Sequence, residues 1–215
     1  VADRVLGESG KVTIENFREN EPDSVKERYV EQKLAVATPM FNIGFKGRAR
    51  SRKENVLNSI LDEMLVEVIA GDASPLYRRL YDQSLINQTF YGESMAGEDY
   101  LCTMYCGESK DPKRVYEEIC AEAARIAEEG IDPEMFEVAK AIIYGRYVSA
   151  FNTVEGVAGL LITGAFSDIP MYDLVDAAAN ATLPLLQERL REDFDAARSA
   201  LSVILPAGKK AEEDE

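Results

Sequence analysis

Between residues 51 and 87 the chain spells out a long helix, its end, a short helix and the approach to a strand. This run limits the folds open to everything else. Ser51-Arg52-Lys53-Glu54 has the spacing of a capping box, in which a serine and a glutamate three residues later satisfy backbone N–H groups at a helix start. Leu57, Ile60, Leu61, Met64, Leu65, Val68 and Ile69 then recur at helical spacing over about five turns. Gly71 ends the helix, as a C-cap glycine does. Ser74 caps a new, short helix with Pro75 in its first position. Tyr77 and Leu80 of that helix read as core contacts, and the wide apolar face of 57–69 demands burial.

Strands flank this helical block. Residues 29–36 alternate imperfectly, whereas 40–46 alternate cleanly and put Phe41, Ile43 and Phe45 on one face. Gly44 within that strand predicts the close approach of a neighbouring element. Residues 88–95 and 100–106 read as two strands joined through 96–99 as a hairpin. Asp111-Pro112 and Asp132-Pro133 each open a helix, and Gly130 closes the first of them. Ile131 is placed to pack on Phe136 as a hydrophobic staple. Further helices are predicted from Thr153 to about 164, over 171–179 and after Thr182, with a last strand at 199–205.

The order is strand, strand, helix, helix, hairpin, a run of helices, strand. Strands and helices are partly segregated, which predicts an α+β fold: one mostly antiparallel sheet with helices packed on one face. Residues 1–24 read as a linker or peripheral arm, 25–207 as the folded domain, and 208–215 as a charged tail.

Composition narrows function mainly by exclusion. The 215 residues include no histidine, so no Ser-His-Asp or Cys-His arrangement and no His-containing zinc site can be built from this chain. Neither G-x-G-x-x-G nor G-x-x-x-x-G-K-[ST] occurs. The net charge of −15 makes nucleic acid and anionic membrane surfaces poor partners. An acidic surface of this kind serves solubility, or attracts basic peptides. No apolar run approaches the roughly 20 residues of a membrane span.

Cys102 and Cys106 share a strand face but sit roughly 13 Å apart at about 3.3 Å per residue, too far for a disulfide. With Cys120 they read as thiols of a reducing compartment. The paired carboxylates Asp62/Glu63, Glu117/Glu118 and Glu128/Glu129 read as solvated helix faces.

Four blocks carry a resemblance. They are residues 36–46 (VATPMFNIGFK), residues 71–87 (GDASPLYRRLYDQSLIN), the hairpin end 107–112 (GESKDP) and residues 130–136 (GIDPEMF). In this order and spacing they resemble the second, metal-free half of pitrilysin/insulinase-type zinc metallopeptidases, over about residues 25–207. The likeness is to bacterial, cytoplasmic two-half members.

The resemblance implies a pair of homologous halves facing each other around a chamber. Zinc is expected only in the partner half, on an H-x-x-E-H motif. This chain would then be a non-catalytic wall that contacts a peptide substrate, or the domain of an inactive paralogue serving as a scaffold or partner subunit. A homodimer imitating the two-half arrangement is a further possibility. Many members direct an Arg and a Tyr to substrate from a segment like Leu-Arg-Glu-x-x-Gly-Leu-x-Tyr. Tyr81 and Asn87 stand at those two places here, so no catalytic role is carried over. Tyr81 and Asn87 are expected to line the chamber. Arg78 and Arg79, one turn upstream, are candidates for the same surface or for salt bridges.

Overall fold

A computed structural model of the chain describes residues 2–5 and 22–207. Most of the predicted arm at 1–24 and the tail at 208–215 lie outside the described residues. The elements run α1 (Ala2–Val5), β1 (Tyr29–Leu34), β2 (Met40–Lys46), α2 (Arg52–Ala70), α3 (Pro75–Asp82), β3 (Tyr91–Ala96), β4 (Leu101–Glu108), α4 (Pro112–Glu129), α5 (Pro133–Ala150), α6 (Val154–Ser167), α7 (Met171–Ala179), α8 (Leu183–Asp193) and β5 (Ser199–Pro206). The fold is α+β, as expected. Its five-stranded sheet has the order β1-β5-β2-β4-β3. All neighbours pair antiparallel except β1 and β5, which are parallel.

Local chemistry sets the helix starts. Ser51 and Glu54 form the reciprocal capping box. The Tyr77 backbone N–H donates to Ser74 Oγ at 3.0 Å. Asp111 and Asp132 each accept from their own helix's first turn, with proline just inside. Gly71 does cap α2, but in extended backbone (φ −70°, ψ 166°) and not in the left-handed form. Glycine is required there because a Cβ would stand 2.6 Å from the Glu67 Cα.

The inner sheet face is apolar. Phe41, Ile43 and Phe45 of β2, Leu101 and Tyr105 of β4, and Leu201 and Val203 of β5 are all buried. Helix α2 lies over this face and closest to β3. The tight point is Gly92, where a Cβ would come within 2.4 Å of Val66 Cγ1. Gly44 was the expected point of close approach, but a Cβ on it would meet nothing within 4 Å. Its position on the outer face, away from the helices, explains the difference.

The other side of α2 packs on α5, α7 and α8. Asn55 ties the start of α2 to the β3–β4 turn. Its side chain accepts from Arg50 N at 2.7 Å and donates to the Gly97 carbonyl at 2.9 Å.

Asp62 corrects a reading of the sequence. It is fully buried in α2, not solvated. Arg189 of α8, itself 3 % exposed, donates to both its carboxylate oxygens at 2.9 Å. Arg189 also pairs with Asp193, which accepts from Arg48 N at 2.8 Å. The helical spacing that buries Leu61 and Leu65 carries Asp62 inward, and a distant arginine then has to meet it. Of the other predicted pairs, Glu117, Glu128 and Glu129 are exposed and Glu118 is half-buried.

Two outcomes follow for stability. Asp62→Ala leaves Arg189 buried without its bidentate partner and should cost about 3–5 kcal/mol in denaturant unfolding. Glu63, next to it, is half-buried, and burial pushes its carboxyl up to about 7, with Glu67 adding to the rise and Arg146 opposing it. The folded state therefore holds a proton that the unfolded chain releases near its ordinary value of 4.5. Stability should fall as pH rises from about 4.5 to about 7. Glu63→Gln should remove that part of the fall and be more stable than the parent at pH 8 by about 1 to 2 kcal/mol.

Candidate functional site

Among the described residues, no helix covers the outer face of the sheet. Strand alternation and register determine what it shows. β2 contributes Met40, Asn42, Gly44 and Lys46, and β4 contributes Cys102, Met104, Cys106 and Glu108. β3 adds Tyr91, Glu93 and Met95, and β5 adds Ala200, Ser202 and Ile204. Met40, Tyr91 and Met95 are exposed. A face of this composition is more apolar than a solvated sheet needs to be, and exposed apolar patches mark binding surfaces.

A cavity of about 270 Å³ opens on this face, where the ends of β5, β2, β4 and β3 lie side by side. Met40, Tyr91 and Ile204 give it apolar walls, and Asn42, Ser202 and Glu108 give it polar ones. Cys106 stands directly opposite both Asn42 and Tyr91 in the sheet. Burial pushes its thiol up, so it is a neutral group at physiological pH.

A second cavity, of about 380 Å³, lies just over the sheet end and shares Glu108. Tyr81, Leu85, Ile86, Asn87 and Lys110 also line it. The α3 segment builds this rim. Leu76 and Leu80 anchor α3 in the core, and Tyr81 stacks on Tyr77 with ring centroids 6.0 Å apart. Leu85 N then bonds to the Leu80 carbonyl at 2.9 Å. Ser84 in that turn has a left-handed backbone, φ 53°.

The turn delivers Asn87 to the sheet. Asn87 Nδ2 donates to Glu108 Oε2 at 3.0 Å, while its Oδ1 accepts from Thr89 N at 2.8 Å. Glu108 N donates to Thr89 Oγ1 at 3.1 Å, which closes the knot.

The four sequence-predicted residues therefore separate into two groups. Tyr81 and Asn87 meet at the second cavity. Arg78 and Arg79 line neither cavity: Arg78 is largely exposed beside Asp82, and Arg79 bridges to Glu118 of α4 at 3.1 Å. Glu108, Tyr91, Met40 and Ile204 carried no signal as separate residues. Alternation within β4 singles out the Cys102–Glu108 face, but only the register joins it to β2, β3 and β5.

The comparisons with known proteins agree with this architecture. The model of the family described as "Peptidase M16 inactive domain" matches residues 1–143. An uncharacterized zinc protease of Bacillus subtilis, YmfH, is 27% identical over 198 residues, which is 91% of this chain and 46% of that protein. The crystal structure of an M16-like peptidase from Alicyclobacillus acidocaldarius superposes with a TM-score of 0.85 at 21% identity, covering 94% of this chain and 49% of that one. The inactive peptidase domain of a zinc protease from Bordetella parapertussis gives 0.69 at 14% identity, covering 86% of this chain and 99% of that one. The chain thus spans about half the length of the curated relative it matches.

The turn at Ser84 supplies a direct check. A left-handed backbone costs a residue with a Cβ about 1 kcal/mol relative to glycine. Ser84→Gly should raise unfolding stability by about 1 kcal/mol while keeping the Asn87–Glu108 contact. Thermal and denaturant unfolding would measure it.

Proposed function

The chain belongs to the peptidase M16 inactive-domain family, and from that premise we propose that it forms the metal-free wall of a peptide-binding chamber, opposite a zinc-bearing half. The observation that carries this reading is the outer sheet face, which no helix covers among the described residues, with its two adjoining cavities joined at Glu108. On this reading the outer sheet face looks toward the companion half and the helices away from it. Zinc and the H-x-x-E-H motif belong to the companion, since no histidine exists here to supply them.

This chain's own contributions are binding and orientation. The apolar patch of Met40, Tyr91 and Ile204 removes substrate side chains from water. Asn42 and Ser202 present an amide and a hydroxyl to a passing peptide backbone. Asn87, held by Thr89 and Glu108, fixes the rim without an arginine–tyrosine pair.

The test uses the two-half protein that contains this chain. Ile204→Asp should leave zinc content and fold unchanged and lower cleavage of an unstructured fluorogenic peptide at least about tenfold, mostly through KM. The isolated chain should cleave nothing. Zinc-dependent cleavage by the isolated chain overturns the reading, as does unchanged hydrolysis by the Ile204→Asp protein. A parent protein with no H-x-x-E-H and no cleavage at all points instead to a scaffold subunit.

A further inference from the structure

The composition of the outer face bears on what kind of peptide it holds. The 270 Å³ cavity lies below the roughly 300–1,000 Å³ of a small-molecule site. It suits one large side chain better than a whole ligand. Its apolar walls come from three different strands: Met40 of β2, Tyr91 of β3 and Ile204 of β5. Methionine and tyrosine here supply adaptable and flat apolar surface, and neither selects one shape.

The charged group at this cavity is Glu108. Asn87 Nδ2 donates to its Oε2 at 3.0 Å, which orients the carboxylate. Glu93 lies on the same face, directly across the sheet from Met104, and adds a second negative charge. The basic residues at the edges of the region are Lys46, which reaches the Pro22 carbonyl at 2.8 Å, and Lys110, which lines the neighbouring cavity.

Other occupants fit less well. A second copy of the chain would bring its own net charge of −15 against the first. Nucleic acid and anionic lipid meet the same repulsion. A basic peptide is drawn in by the whole charge distribution and finds Glu108 beside an apolar slot.

We infer that the outer face takes an extended peptide bearing one large apolar side chain, seated between Met40, Tyr91 and Ile204, beside a lysine or arginine that pairs with Glu108. This inference rests on the chamber-wall reading and adds the substrate class to it. The backbone of the peptide runs over Asn42 and Ser202, which are direct neighbours across β2 and β5. The contact is weak by itself, because an exposed ion pair adds little. Its role is to favour basic over acidic segments within a closed chamber, where the local peptide concentration is high.

The experiment is a methyl NMR titration of the full chain, labelled at methionine and isoleucine methyls. The probes are three blocked hexapeptides: Ala-Ala-Phe-Lys-Ala-Lys, the same with Phe replaced by Ala, and the same with both Lys replaced by Glu. The first should shift the Met40 and Ile204 methyls and leave those of the buried Met64 and Ile143 unmoved. The Ala peptide should give no saturable shift. The Glu peptide should bind about fivefold more weakly. Glu108→Gln, which keeps an oxygen able to accept from Asn87, should shrink that preference to less than about twofold.

Binding of all three peptides with equal affinity overturns the inference and leaves the wall reading in place. So does a preference that survives Glu108→Gln. Failure of every peptide to move the Met40 and Ile204 methyls, at millimolar concentration, overturns both.

Discussion

The structure depends on the burial of one helix. α2 is apolar around most of its circumference, so it needs cover on two sides. The inner sheet face supplies one side, with Val66 pressed against Gly92, and α5, α7 and α8 supply the other. Asp62 is the cost of this arrangement. It lies on a buried face of α2, where burial pushes its carboxyl up to about 7, and Arg189, itself buried and paired with Asp193, opposes that rise. The network joins α2 to α8, and β5 then enters the sheet between β1 and β2.

Because the helices gather on the α2 side, the opposite sheet face has no helical cover among the described residues. That face is the basis of the functional reading. Its chemistry follows from strand alternation: the residues between the core side chains Phe41, Ile43 and Phe45 have to point outward, and so do those between Leu101, Thr103 and Tyr105. The α3 turn then sets a rim at one end of the face, where Asn87 clasps Glu108. A single carboxylate thereby belongs to both cavities.

Local signals were legible in the sequence wherever a few neighbouring residues decide the outcome. The Ser51–Glu54 box, the Ser74-Pro75 start and the Asp-Pro starts at 111 and 132 are of this kind, and the helices begin there. The alternation of residues 40–46 likewise told which side chains enter the core. Long-range pairing was not legible. Nothing near residue 29 says that β1 lies parallel to β5, and nothing near Asp62 announces Arg189, 127 residues away. α6 shows the same limit: its glycine-containing apolar sequence does not tell which side chains stay outside the core, and Leu161, Ile162 and Phe166 are exposed. Tyr81 and Asn87 were found through the resemblance, whereas Glu108 emerged only when the register of β4 was known.

On the proposed function, peptide meets this domain on the sheet face that no helix covers among the described residues. Replacing Tyr91 with photoreactive benzoyl-phenylalanine, and in a separate protein replacing the exposed Glu117 of α4, tests it directly. Illumination with an unstructured basic peptide should attach that peptide at position 91 and leave position 117 unlabelled. Equal labelling at the two positions, or labelling at 117 alone, would contradict the account.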